Sequence, residues 1–428
     1  MTVLPSFLST AFLSLFVFLP NWILSQENQG ISFYPDGIAG VQIAPVTAPD
    51  NYPVIRLNSE EQILLSFDDL YGEVAPFHYR LRHVNPENEP SDLFPYEYQT
   101  GFERNPITSY QFSRNTHQSY VHYELKLPNE EVSLLLSGKY AVDVLESADA
   151  ETPLFTRYFY VSEQGAEVEM TVQPSSFPEL MRSHQELGLN ISTREALMEP
   201  FSRVLLHVVQ NNNPFTARKE LQPSFVQGKD FVYRDVSRMQ WPGGNEFRFF
   251  NTNDHRYKPS QVFEISFLNN RFHFFLEPSL VRQFKRFEAY SDFDGRFRID
   301  NAHAENPQLE ADYVQVHFAL PMDAPLVNEE IFILGQMNEW QAEKNYQLEY
   351  NYRTKRYEKS VYLKQGYYNY LYAVRPLDSD SLDFERLEGN HAQTGNTYQL
   401  YLFYEDPARY VRLIHFQTVH SAANSDTY

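Results

Sequence analysis

The stretch that most constrains the fold is Tyr357–Val374, which reads Tyr-Glu-Lys-Ser-Val-Tyr-Leu-Lys-Gln-Gly-Tyr-Tyr-Asn-Tyr-Leu-Tyr-Ala-Val. Two runs of β-branched and aromatic residues flank Lys364-Gln365-Gly366. A three-residue loop closed by glycine suits a β-hairpin built on a type I turn and a left-handed residue. Side chains alternate across a strand, so Tyr368, Tyr370, Tyr372 and Val374 share one face, and Tyr367, Asn369, Leu371 and Ala373 the other. A face made largely of tyrosine fits a half-buried sandwich strand, a sugar platform or a protein-binding surface.

The rest of the chain repeats the theme. Short apolar runs alternate with turn residues and sustained helical periodicity is nearly absent, so the expected class is all-β, built as tandem immunoglobulin-like sandwiches. A chain of 428 residues calls for about three such units. The first is expected at 26–162, with clean alternation of Phe77, Tyr79 and Leu81 against His78, Arg80 and Arg82. It contains a long polar and aromatic connection, Asn85–Arg114, that is more than a turn and a natural place for contacts. Ser162-Glu163-Gln164-Gly165 reads as a hinge into a middle sandwich at 166–301. After a linker at Ala302–Gln308, a C-terminal sandwich of early-set type is expected at 309–428.

Charge narrows the partners. With 56 acidic against 35 basic side chains the formal net is −21, a field that repels phosphate backbones and anionic lipid, so nucleic acid is not expected as a partner. The chain has no cysteine, so it has no disulfide, thiolate metal site or cysteine nucleophile. Residues 4–24 form an apolar run, broken by Pro20-Asn21 and followed by Ser25, so residues 1–25 read as a secretory signal cleaved near Ser25; an uncleaved anchor is the competing reading.

Motifs for chemistry are few. Asp68 and Asp69 are neighbours on a strand and point to opposite faces, which suits a polar strand end better than a catalytic pair. Asp292-Phe293-Asp294-Gly295 lacks the further ligands of a calcium loop and reads as an Asp-Gly turn. The 13 histidines are scattered, with His122 and His273 read as side chains at a sheet surface, and no zincin motif, Walker loop, dinucleotide fingerprint or nucleophile elbow occurs. No catalytic, cofactor-binding or metal-ligating residue is expected. Asn190-Ile191-Ser192 fits a glycosylation acceptor. A hydrolase would need carboxylates paired across strands about 5 to 10 Å apart.

The run Ile331-Phe332-Ile333-Leu334-Gly335-Gln336-Met337-Asn338-Glu339-Trp340 followed by the tyrosine stretch resembles the early-set immunoglobulin-like modules found beside glycan-processing enzymes. That resemblance implies an alternative role, a secreted glycan-binding protein with Trp340 as the reporter of a bound sugar. The Asp-Gly-x-Trp segment common in those modules is replaced here by Arg375-Pro376-Leu377-Asp378.

Across the whole chain the landmarks resemble one family, the plug proteins of the type IX secretion system. They include Leu65-Ser66-Phe67-Asp68-Asp69-Leu70, Tyr98-Gln99-Thr100-Gly101-Phe102, Ser137-Gly138-Lys139-Tyr140, Gly243-Gly244-Asn245-Glu246-Phe247-Arg248 and Leu363-Lys364-Gln365-Gly366-Tyr367-Tyr368-Asn369-Tyr370. The resemblance departs at His83-Val84-Asn85-Pro86-Glu87-Asn88-Glu89-Pro90-Ser91, where the family tends to carry Cys and Trp. It implies a non-enzymatic periplasmic subunit that docks on the periplasmic mouth of the large outer-membrane translocon barrel and closes it when no cargo is engaged. Tyr368, Tyr370 and Tyr372 are the candidate partner contact, provided they form an exposed row.

Overall fold

The computed structural model describes residues 34, 35 and 37–421, apart from the side chain of Glu220. The expected signal at 1–25 lies outside the described residues. What is described is all-β, with sheets stacked as sandwiches.

The first unit pairs a sheet ordered Ile38–Pro45, Ile63–Asp69, Val121–Leu127, Ser109–Phe112 with one ordered Val54–Arg56, Phe155–Ser162, Gly138–Leu145, His78–Val84, Arg104–Pro106. Alternation puts Tyr79 and Leu81 into a core with Leu65, Phe67, Tyr123, Val142 and Phe159. Phe67 and Tyr123 stack with centroids 5.1 Å apart, a geometry that adds about 1 kcal/mol to the burial of each ring. On the opposite face Arg80 and Arg82 converge on the buried carboxylate of Asp143 at 2.8 and 2.7 Å.

The remaining sheets correct the expected boundaries at 166–301 and 309–428. One side of the second sandwich contains Ala166–Pro174, His184–Thr193, Asp230–Tyr233, Phe225–Gln227 and Gln240–Pro242. Its other side is completed from the far end of the chain: Val204–Gln210 pairs with Thr397–Asp406, which pairs with Tyr410–His420. The third unit in turn recruits Arg248–Asn251, Val262–Leu268, Arg271–Leu276 and Phe297–Ile299 from the middle of the sequence. The cause is burial on two faces. Tyr398, Leu400 and Leu402 fill the second core, while Tyr401 and Phe403 on the reverse face pack with Leu413 against Val54 and Tyr160 of the first unit.

The expected hairpin is also corrected. Both of its strands exist, Arg356–Lys364 and Gly366–Pro376, but they lie in different places in the sheet order. The first pairs with Tyr313–Pro321 and Gln347–Asn351, the second with Glu329–Leu334, Arg248–Asn251 and Phe297–Ile299. Gln365 is the corner between them. Its N–H donates to Asp312 O at 2.8 Å, its Oε1 accepts from Asp312 N at 2.9 Å and its Nε2 donates to Thr252 O at 3.0 Å. Glycine follows because Phe297–Ile299 presses close: a Cβ on Gly366 would sit 2.2 Å from Arg298 O.

A candidate interaction surface

The corner decides the fate of the tyrosine row. Tyr368, Tyr370 and Tyr372 are 2%, 4% and 0% exposed, because that face of Gly366–Pro376 looks into the third core. Tyr368 lies between the rings of Phe250 and Phe297, at 5.1 and 5.2 Å. The Tyr370 and Tyr372 hydroxyls each meet Ser279 Oγ at 3.3 Å. These tyrosines are scaffold, and the candidate contact at Tyr368, Tyr370 and Tyr372 is withdrawn. Trp340 is 3% exposed and packs edge-on to Phe247 and Phe384. The turn before it is tied by Asn338, whose Oδ1 accepts from Gly335 N at 3.1 Å and whose Nδ2 donates to Ile333 O at 2.8 Å. A sugar cannot stack on so buried a ring.

Of the acidic pair, Asp69 Oδ1 caps a turn by accepting from Tyr71 N at 2.9 Å. Asp68 points the other way into a joint with the third unit, where it accepts from His122 Nδ1 at 2.6 Å, Tyr313 OH at 2.7 Å and Lys364 Nζ at 2.5 Å. Lys364 also donates to Gln308 O at 2.7 Å and lies over the Tyr120 ring at 4.2 Å. Burial lowers the Lys364 pKa against the pull of Asp68. Burial also opposes charge on His122, but its bonds to Asp68 and Glu124 outweigh it and raise its pKa. His122 is therefore a buried member of this joint, not a surface residue, and His273 bonds to His317 at 2.9 Å. Nothing local in the sequence marks Lys364 as Asp68's partner, since the two are far apart along the chain.

Contacts with other molecules must come from what is exposed. The connection Asn85–Arg114 folds into a strap on the first unit rather than a loose loop. Its short helix Pro95–Tyr98 is anchored inward by Tyr98, whose hydroxyl donates to Leu81 O at 3.1 Å, while Glu97 closes the turn on Phe94 N at 2.8 Å. That anchoring turns Phe94 and Tyr96 outward as a stacked pair with centroids 5.6 Å apart. Beyond the helix, Gly101 adopts φ +84°, and a Cβ there would meet Glu131 O at 1.9 Å. Gln99 and Asn105 both donate to Phe102 O, at 3.2 and 2.9 Å, so the backbone is fixed while the Phe102 side chain stands 76% exposed. Large aromatic side chains on a fixed backbone lose little entropy on binding, which is the usual chemistry of an interface hot spot. Sequence reasoning picked out the segment from its length and composition; the three projecting rings needed the structure.

A second projection is the strand-free run from Glu277 to Arg296, with Leu280 and Phe284 exposed beside Lys285 and Arg286. It is rooted by Arg282, which shares the buried Glu388 carboxylate with Arg248. Among the described residues no group of three or more His, Asp or Glu side chains is arranged to hold a metal ion.

Comparison with known proteins adds two findings. Residues 38–163, which include the strap, match the model of the type 9 secretion system plug protein 1st domain. The crystal structure of a hypothetical protein from Parabacteroides merdae ATCC 43184 is similar over 90% of this chain and 98% of its own, at 32% identity and a TM-score of 0.87. No curated protein matches the chain.

Proposed function

The chain belongs to the type 9 secretion system plug protein family, and from that premise we propose that it is the non-enzymatic periplasmic subunit closing the periplasmic end of the system's large outer-membrane barrel when no cargo is engaged. A wide barrel leaks unless it is blocked. The observation that carries this reading is the aromatic strap: Phe94, Tyr96 and Phe102 project from a backbone pinned by Tyr98, Gln99 and Asn105. Such a surface forms a contact without being reordered, and its modest size lets the contact release. The joint of Asp68 with Lys364 supports the same role, because a stopper must move as one body. Among the described residues no helix is long and apolar enough to cross a membrane.

The test is recovery of the barrel with a tagged copy. The wild-type chain should bring the barrel down from solubilised envelopes, and the Phe94→Ser, Tyr96→Ser, Phe102→Ser variant should recover about tenfold less or worse, as expected for the loss of hot-spot rings. A barrel absent from wild-type preparations contradicts the reading.

A further inference from the structure

A groove of about 860 Å³ runs over the outer face of the third unit's sheet. The register aligns Phe275 with His317 and His317 with Ser360, and on the next outward position Ala319 with Glu358, leaving a small residue as the floor beside a wall of rings. Phe275 and His317 stack with centroids 4.2 Å apart and planes 7° from parallel. The His317 ring is locked, Nε2 against His273 Nδ1 at 2.9 Å and Nδ1 against Ser360 Oγ at 2.6 Å. Burial, helped by His273, lowers its pKa to about 4, so at neutral pH the wall is uncharged. The far wall is Phe263, on the edge strand Val262–Leu268, where a register shift between Val262 and Glu264 breaks the strict alternation.

The rim is acidic. Glu264, Glu277, Glu349 and Glu358 line the groove against Arg356 and Lys359. Arg356 is already paired with Glu358, and Lys359 donates to Lys344 O at 3.0 Å. Glu264, Glu277 and Glu349 form no ion pair among the described residues. Paired aromatic faces flanked by free carboxylates are the surroundings a guanidinium or ammonium group prefers. Val262–Leu268 is also the outermost strand of its sheet; Val262 N and Phe263 O are already bonded to Pro259 O and Lys258 Nζ, and the edge beyond them can be extended by another strand, whose alternate side chains would fall towards the groove.

We infer that the end of this groove nearest the sheet edge receives an extended polypeptide segment of a partner that carries arginine or lysine at alternate positions, added beside Val262–Leu268 with its cations over Phe263 and towards Phe275, beside Glu264 and Glu277. The site lies on a different unit from the strap and stands independently of the plug reading.

The test titrates the full chain into a short labelled peptide alternating arginine and valine, read by fluorescence anisotropy. Saturable binding is expected, weakened about tenfold or more in the Glu264→Lys, Glu277→Lys variant and, separately, in Phe263→Ser. A glutamate–valine peptide should not bind, and Phe102→Ser on the strap should bind the cationic peptide as wild type does. All substituted side chains are exposed or at the rim, so thermal melts should stay unchanged. The inference is overturned if the cationic peptide does not bind, if both peptides bind alike, if both folded groove variants bind as wild type, or if a linear glucan displaces the peptide and so assigns the groove to a sugar.

Discussion

Glu246 sits where the second and third sandwiches meet, its Oε1 accepting from Gly395 N at 3.1 Å. Two more carboxylates lie close. Asp292 accepts from Phe247 N and Asp294 N, at 2.5 and 2.8 Å, and Asp294 accepts from Thr397 Oγ1 at 2.5 Å. Arg282 and Arg296 are the cations that reach them, with His420 and Tyr52 nearby. Burial, reinforced by Asp294, pushes the Glu246 pKa up to about 7, and burial raises both aspartates as well. A carboxyl raised on folding contributes stability that is complete below its unfolded pKa and is lost as pH rises through the folded one. For Glu246 that window runs from 4.5 to about 7. The buried imidazoles of His83 and His207, lowered to about 4 and about 3, act oppositely and lose their contribution as pH falls below 6.5. Glu246→Gln isolates the first effect: its stability relative to wild type should rise by roughly 2 kcal/mol between about pH 5 and about pH 8 in denaturant unfolding, and a constant difference would contradict the assignment. In sequence, Asp292-Phe293-Asp294-Gly295 is legible as a turn, and the chain does turn there, with Asp294 at φ 52° and Gly295 at φ 81°. That Glu246 joins those aspartates is not legible, because tertiary contact alone brings them together.

Gly366 carries the same lesson at the scale of an element. Placed after Lys364-Gln365 between two β runs, it fits a hairpin turn, where glycine supplies a left-handed residue. In the structure it fits a sheet corner instead, where glycine leaves room for the backbone of Arg298. The two roles differ in what alanine does. Gly366→Ala forces a Cβ onto a neighbouring backbone carbonyl and should lower stability by about 3 kcal/mol, whereas Gly228→Ala, at φ +63° with nothing within 4 Å, should cost only about 1 kcal/mol. Equal melting temperatures for the two variants would restore the simple turn. Strand existence and facing were readable because period-2 patterning is local: Tyr79 and Leu81 are buried and Arg80 and Arg82 turn to Asp143, as alternation predicts. Pairing was not readable. Tyr368, Tyr370 and Tyr372 share a face as expected, yet which way that face looks depends on Gln365 bonding to Asp312 and Thr252.

For the whole molecule, the consequence is interlocking. Thr397–Asp406 and Tyr410–His420 close the second sandwich and press Tyr401 and Phe403 onto the first, and Arg412 holds Glu163 through two bonds of 2.8 Å. The Asp312 carboxylate accepts from His117 N and Gln118 N at 2.9 and 3.1 Å, beside the Asp68–Lys364 pair. Units joined by exposed linkers move independently by default, but here apolar side chains from one unit are buried against the next and the Asp68–Lys364 contact lies inside the joint, so separation would expose that apolar surface to water. All-β class and tandem sandwiches were legible from composition and patterning; the exchange of strands between units was not, since a strand buried on both faces carries no local mark of its sheet. A body of this kind suits a stopper that presents a fixed aromatic strap. The most direct measurement is outer-membrane permeability to a bulky fluorescent solute in cells whose translocon is intact but whose copy of this chain is deleted. Leakage should appear on deletion, be abolished by the wild-type chain and persist with the Phe94→Ser, Tyr96→Ser, Phe102→Ser variant; permeability unchanged by deletion would contradict the plug role.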